Sequence, residues 1–525
     1  KQLGNKFFDR EFDFSRGTRA TFVGRNGLIQ ESGLTSAELV TNGDFATDLS
    51  GWAIGGTDAT NTITWETNGV RFISTTNLIS IQQSNILTIG KSYKLTCDVA
   101  ITTGSIGLDG ATSGSAIVMV EGFNEIYFTA ISNYVKIKRI TANSNCLLDN
   151  VSVQEIQTDV PRIDFTDDPT GHLLLEPQST NSMPYSEDAT NWSTQNNSVL
   201  ATSNQAVSPD GTLNADKLIP ASGSVTSNGG RYLSFASTAS TDYSVSIFVK
   251  QAEYRYVTFS YGSSAAYGFH FDLQDGVIVQ ELSNAQYTSI SREVESLTNG
   301  WYRLKISLTD NISQAARFIS VRPANELPTA PNNNYATTGD GTSGIYVWGF
   351  QIEQGSYATS YIPTSGSTAT RLGETANNAG GAGVFNSEEG VLYAEIAALA
   401  DSGHRWISVN SSNSSNRITI ELYPQTGTLV SRLTTNGVQK AFLVAINIVK
   451  TNMNKIAVRY YLNNFSLWVN GNKISEDVTD VPVPIGLNSL DFKQGDNSGN
   501  FYGKTKNLKV FNYALTDEEL QTLTT

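Results

Sequence analysis

HLLLEPQSTN, residues 172–181, places three consecutive leucines between a turn, DDPTG at 167–171, and Pro177, in a stretch otherwise composed like a linker. Just ahead of it, PRIDFTDDPTGHLLLE (161–176) reads as a hairpin that turns at Asp168-Pro169-Thr170-Gly171. RATFVGRNGLIQE (19–31) carries a second hairpin signal, with Asn26-Gly27 as turn residues between apolar runs. Two strands alone bury too little surface to be stable in water. Together the hairpins are expected to form a small four-stranded sheet, with Leu173, Leu174 and Leu175 buried against Phe22, Val23, Leu28 and Ile29. Everything between them is then an insertion, which is feasible because domain termini are often close together.

That insertion has a copy downstream. NGDFATDLSGW (42–52) and NSMPYSEDATNW (181–192) share an aromatic, an Asp and a Trp at matching offsets. SYKLTCDV (92–99) matches DYSVSIFV (242–249), both alternating as half-buried strands do, and LLDNVSVQE (147–155) matches YVWGFQIEQ (346–354). Three landmarks in one order predict one β-sandwich design used twice, over 42–156 and 181–355. The last third differs. EGVLYAEIAAL (389–399), HRWISVN (404–410), RITIELYP (417–424) and KIAVRYYLNNFSLWVNGNKI (455–474) read as antiparallel strands, with a tight turn at Asn470-Gly471. NLKVFNYALTDEELQTL (507–523) adds a strand and a short helix, capped by Thr516 with Glu519 three residues on.

The expected fold class is all-β: two jelly-roll sandwiches, one inserted in a small N-terminal β module, plus a C-terminal concanavalin-A/laminin-G-like sandwich. The divisions are an anchor and hairpin over 1–36, the inserted sandwich over 37–157, the second hairpin over 158–180 and the second sandwich over 181–360. A Gly/Ser/Thr/Asn-rich linker follows over 361–383, and the C-terminal domain covers 384–525. Composition agrees: 16% charged residues, 10% aromatics and no long 3.6-residue periodicity argue against helical bundles. A net charge of −14 offers no basic stripe for nucleic acid. No run of eighteen apolar residues predicts a membrane span. The opening KQLGNKFFDREFDF lacks an initiator Met and a signal-peptide core, which points to processing or to numbering that starts within a longer chain. Cys97 and Cys146 fall in strands of one domain and read either as a bonded pair or, better, as two buried thiols.

Several phrases resemble a common family of tailed-bacteriophage virion proteins: FSRGTRATFVGRNGLIQE (14–31), VPRIDF (160–165), LLLEPQSTN (173–181), YSEDATNW (185–192), SPDGTLNADKL (208–218), NGWYRLKISL (299–308) and VWGFQIEQGSYATSYIPTSGSTATR (347–371). In that family the first phrase usually runs almost directly into the second, which supports the insertion reading. The inserted copy resembles jelly-roll carbohydrate-binding modules, and LWVNGNKI with VFNYALTDEEL resembles a laminin-G or concanavalin-A-like lectin domain. The resemblance implies a fibre, spike or decoration component exposed on the virion, assembled in the bacterial cytoplasm. It implies partners too: other virion proteins, further copies of itself (most often as a trimer), and host cell-surface polysaccharide. Fold alone does not license that function.

Catalytic constellations are not apparent. There is no ExDxE or ExDxxE pairing of carboxylates on one strand, no GxSxG elbow or phosphate loop, and His172, His270 and His404 are isolated. The expectation is a non-catalytic protein with no required cofactor; the alternatives are a purely structural head-fibre or tail-collar protein and an enzyme that degrades capsular polysaccharide. Glycan binding needs an aromatic platform, and strand alternation sorts the tryptophans. Trp468 and Trp301 fall opposite the apolar face of their strands and read either as sugar platforms or as packing contacts with a neighbour. Trp65 and Trp348 are expected in the core, and Trp52 and Trp192 in structural roles. Jelly-roll modules often hold a structural Ca²⁺ near the first and last strands. The resemblance puts Asp44 and Asp149 there, although turn bonding explains both equally well. Asp496 in DNSGN (496–500) is a further calcium candidate or an ordinary turn residue.

Overall fold

A computed structural model describes residues 11–33, 37–67, 69–109, 116–156, 158–194, 198–225, 230–262, 266–328, 337–496 and 498–525. Of the anchor expected over 1–36, residues 1–10 and 34–36 lie outside the described residues. The chain divides into two compact units, Glu31–Val160 and the discontinuous Lys1–Gln30 with Pro161–Thr525.

The shorter unit is a sandwich of two five-stranded sheets. Ser92–Thr103 is an interior strand of one, and alternation buries Tyr93, Leu95, Cys97 and Val99 while their neighbours face outward. The facing sheet supplies Ile81, Leu108, Val135 and Ile137 to the same core. Both cysteines are free and buried: Cys97 Sγ contacts Met119 Sδ, and the Cys146 thiol donates to the Thr103 carbonyl at 3.5 Å. Burial pushes the Cys97 thiol up to about 12, so it is held as an unreactive thiol.

The longer unit contains a sandwich of two six-stranded sheets, and the proposed duplication is visible in its register. In the first sandwich Leu148 faces Val99 and Val153 faces Leu95. In the second, Val347 faces Val249 and Ile352 faces Val245, which are the same landmarks of the repeated phrases. Each copy carries a bulge between those two pairs.

The C-terminal sandwich packs a seven-stranded sheet on a five-stranded one, and Thr516 and Glu519 form the expected capping box on helix Asp517–Thr524. Here the hairpin expectation is corrected. His172–Leu175 does not join Ala20–Val23 in a four-stranded sheet; it pairs with Gly503–Phe511 at the edge of the seven-stranded sheet, with Leu174 opposite Lys504. Leu175 enters the C-terminal core, and Leu173 packs against it. Without this hairpin Gly503–Phe511 would be an edge strand with unpaired backbone groups, and the hairpin supplies its partner from far away in sequence. Ala20–Val23 and Ile29–Ser32 remain a two-stranded ribbon. The hairpins nonetheless adjoin: the Phe165 N–H donates to the Val23 carbonyl and the Val23 N–H to Asp164 Oδ2, both at 2.9 Å.

Residues 361–383 are likewise more than a linker. Ala369–Arg371 pairs with Ser179–Asn181, and Thr375–Asn377 pairs with Asp13–Ser15. What fixes these short pieces is a buried ionic cluster. Glu374 Oε1 accepts from Arg16 Nη1 at 2.8 Å and from Arg162 Nε at 2.9 Å. Its Oε2 accepts from Arg162 Nη2 and, at 2.9 Å, from the Glu176 N–H. Glu176 accepts from Arg162 Nη2 at 3.0 Å, from Arg371 Nη1, and from the Ser360 hydroxyl and N–H at 2.6 and 2.8 Å. None of the five charged side chains is more than 4% exposed. The surplus cation is shared among carbonyls: Arg16 donates to Thr18, Arg162 to Thr21 and Arg371 to Pro177.

Removing one member leaves the others charged, buried and short of a partner, which costs about 3–5 kcal/mol. Arg162→Ala is therefore expected to lower the unfolding free energy of the longer unit by that amount, read by urea titration, while the shorter unit is unaffected. Burial raises the Glu176 carboxyl, but Arg371, Arg162 and the Ser360 donors outweigh it and hold Glu176 down at about 2. A carboxyl depressed in the fold stabilises above its unfolded pKa and loses that contribution as pH falls through the folded one. The stability gap between wild type and Glu176→Gln should thus shrink between about pH 4.5 and pH 2, as pH-dependent melting will show.

Candidate functional site

Strand alternation on the C-terminal five-stranded sheet builds two different faces. Ile407, Val409, Ile418, Ile420, Leu429, Leu433, Ala441 and Leu443 point into the core. The residues between them point away, in register across four strands: Trp406 faces Glu421, and Glu421 faces Val430. One step along, Thr419 faces Arg432 and Arg432 faces Phe442. At the centre lies Glu421, fully buried, which accepts from Thr419 Oγ1 at 2.6 Å, from Arg432 Nε at 3.0 Å and pairs with His404 Nε2 at 3.2 Å.

Above it the Arg432 guanidinium sits among three rings, 4.8 Å from the Phe442 centroid, 5.5 Å from Trp406 and 5.9 Å from Tyr423. The His404 ring lies 4.2 Å from Trp406 and 4.9 Å from Tyr423. Cation–π contact and the Glu421 pair fix the guanidinium plane. The indole of Trp406 is covered by Gly499. The backbone of Gly499 rests on it so closely that a Cβ there would come within 2.6 Å, and its φ of +68° also favours glycine. Phe442 is 41% exposed, and the Arg432 side chain is 21% exposed. The outcome is a rigid surface with an open ring, a half-covered His–Tyr pair and a cation whose counter-ion is buried beneath it.

None of these residues stood out as a site in the sequence, although HRWISVN and RITIELYP were read as strands. The signal was present as polar and aromatic residues at the off-core positions of adjacent strands.

The two expected platforms lie elsewhere and are closed. Trp301 is 1% exposed, packed on Ile29, Phe248, Trp348 and Tyr361, with its Nε1 donating to the Val207 carbonyl at 3.1 Å. The first hairpin and the 357–361 segment cover that face of the sheet; Arg303 beside it donates to the Thr359 carbonyl. Trp468 is 5% exposed, because the C-terminal helix lies over it and packs Leu520 and Leu515 into the same cluster. Trp65, expected in the core, is 39% exposed. It lies on Thr62–Glu66, the edge strand of its sheet, held by its indole N–H on the Phe45 carbonyl at 2.6 Å. Trp348, Trp52 and Trp192 are buried.

The calcium candidates take part in turn hydrogen bonds. Asp44 Oδ1 accepts from the Ala46 N–H at 3.4 Å and Asp149 Oδ1 from the Asn150 N–H at 2.8 Å, while the neighbouring Gly43 carbonyl is taken by the Val151 N–H. Asp496 accepts the Ser498 N–H and hydroxyl, which hold its carboxyl below the usual range and shape the loop over Trp406. Among the described residues no group of three or more His, Cys, Asp or Glu is placed to hold a metal ion. Nor, among them, is any helix long and apolar enough to cross a membrane.

No family model matches the chain, and no curated protein does. Solved structures do. The carbohydrate-binding module CBM40 of Ruminococcus gnavus IT-sialidase is 18% identical over 27% of this chain and 84% of its own, with a TM-score of 0.23. The tandem CBM22 domains of Paenibacillus barcinonensis Xyn10C are 9% identical over 62% of this chain and 98% of theirs, at a TM-score of 0.21. The LG4-5 domains of the mouse laminin α1 chain are 12% identical over 54% of this chain and 88% of theirs, at 0.19. The fold class is all-β, built from β-sandwiches.

Because Trp468 and Trp301 fill their clusters, Trp468→Ala and Trp301→Ala should each cost about 3–5 kcal/mol. Trp65→Ala should stay within about 0.5–1 kcal/mol, as surface changes do. Denaturation midpoints of the three variants will check the order.

Proposed function

We propose that this chain is a non-catalytic surface component of a tailed-bacteriophage virion that binds host polysaccharide on the open face of its C-terminal five-stranded sheet. The virion assignment rests on the family phrases. Their charged residues Arg16, Arg162, Glu176 and Arg371 are the ones that meet in the buried ionic cluster, so the phrases correspond to a structural necessity of this chain. The glycan assignment rests on one observation: Phe442 stands exposed beside a guanidinium oriented by three rings, on strands that cannot shift independently. An apolar ring face with a fixed donor next to it suits a sugar, which offers C–H faces and hydroxyls together. The site is read as binding without turnover because Glu421 is fully buried beneath Arg432, paired with it and with Thr419, and so lies out of a sugar's reach. Weak single sites gain avidity when a particle presents many copies.

A purely structural role is the second reading. It is favoured by the burial of both Trp301 and Trp468, which serve packing alone.

Titrating the full chain against polysaccharides purified from bacterial surfaces separates the two. The wild type is expected to bind, and Phe442→Ala to weaken binding about tenfold, or about 1.4 kcal/mol, with an unchanged denaturation midpoint. Absence of binding by the wild type across the panel sinks the glycan reading and leaves the scaffold.

A further inference from the structure

Arg432 carries more hydrogen-bonding capacity than the fold uses. A guanidinium has five N–H donors in a fixed plane. Nε is committed to Glu421, at 3.0 Å, and Nη1 gives one bond to Gln439 Oε1 at 3.2 Å. Nη2 makes no hydrogen bond among the described residues, and the side chain is 21% exposed. Three of the five N–H groups therefore carry no hydrogen bond among the described residues, on a partly exposed plane that Phe442, Trp406 and Tyr423 hold still.

The charge is also arranged unevenly in depth. The neutralising carboxylate, Glu421, is fully buried beneath the guanidinium, so the outer layer offers Arg432 and the His404 ring while the negative charge lies inside. A neutral sugar hydroxyl would use one donor at a time. A carboxylate matches two parallel N–H groups of one guanidinium, which is the pairing that distinguishes Arg from Lys.

We infer that the site selects a carboxylate-bearing polysaccharide, with the sugar acid on the free Nη edge of Arg432 and a sugar face on Phe442. This rests on the glycan-binding reading above and narrows it to acidic sugars. The chain as a whole carries a net charge of −14, so long-range attraction does not bring a polyanion in. Recognition then depends on short-range contact at this one guanidinium, within the roughly 8–10 Å over which charges are unscreened at ordinary salt.

The test uses the full-length protein with two polyanions, polygalacturonate and α2,8-linked polysialic acid, each beside its own carboxyl-reduced, neutral form. Affinity electrophoresis or calorimetry reads the binding. The expected result is retention by at least one polyanion and a tenfold or greater loss with its reduced form. Arg432→Gln should show the same loss, and Arg432→Lys, which keeps the charge without the planar fork, should recover only part of it. Arg432→Lys also guards against a folding artefact, since it preserves the pair with Glu421. Equal binding of charged and reduced polymers, still abolished by Phe442→Ala, overturns the acidic preference and leaves glycan binding standing. Full affinity in Arg432→Gln overturns the role given to the guanidinium. No binding to any of the four polymers overturns the acidic preference; the wider surface-polysaccharide panel then decides the glycan reading by itself.

Discussion

Three arginines and two glutamates, drawn from three separate stretches of chain, meet in a volume from which water is excluded. No pair of those stretches satisfies the others' charges alone. Arg162 is needed by Glu176 and Glu374 at once, and Glu176 is needed by Arg162 and Arg371. Burying any of them without the rest costs several kcal/mol, so the stretches dock together or not at all. Segments too short to be stable alone, such as Asp13–Ser15, Ala369–Arg371 and Thr375–Asn377, are thereby held as paired strands. The same constraint explains how the chain can leave after Gln30 and return at Pro161 while the longer unit stays one compact body.

From that anchoring follows which faces of the sandwiches are covered. The hairpin Ala20–Ser32, tied to Asp164 and Arg162, brings Ile29 onto Trp301 and closes the outer face of the second sandwich there. The hairpin of His172–Leu175 completes an edge of the seven-stranded sheet, and helix Asp517–Thr524 covers that sheet's outer face at Trp468. The five-stranded sheet keeps Phe442 and Val444 exposed on its outer side, and the His404–Arg432 cluster sits there. The candidate binding face is thus defined by what the other layers leave uncovered.

Much of this was legible in the chain. Period-two alternation in SYKLTCDV and DYSVSIFV, together with the repeated closing strands, predicted two like sandwiches, and the strand registers agree residue for residue at both landmarks. The helix cap at Thr516 and the burial of Trp52, Trp192 and Trp348 also followed from local pattern. The misreadings share one cause. Alternation tells which residues oppose the core face but not whether a further layer lies on them, so it left Trp301 and Trp468 as platforms or packing contacts, and they are packing. Trp65 failed for the converse reason: it has core parity but lies on the edge strand of its sheet, where it stays 39% exposed. The linker over 361–383 was misjudged because its composition is that of a loop, while its order comes from partners more than a hundred residues away.

The amino-acid sequence by itself determined that this protein is all-β and which residues of most strands turn inward. Those properties are local: they depend on side-chain alternation and turn chemistry over a few residues. Tertiary structure alone decided which strand completes the edge beside Gly503–Phe511, which outer faces are closed, and that Arg432 rather than a tryptophan marks the open surface. Each of these depends on groups far apart in the chain meeting in one place, and a charge or a ring gives no sign in sequence of the partner that will cover it.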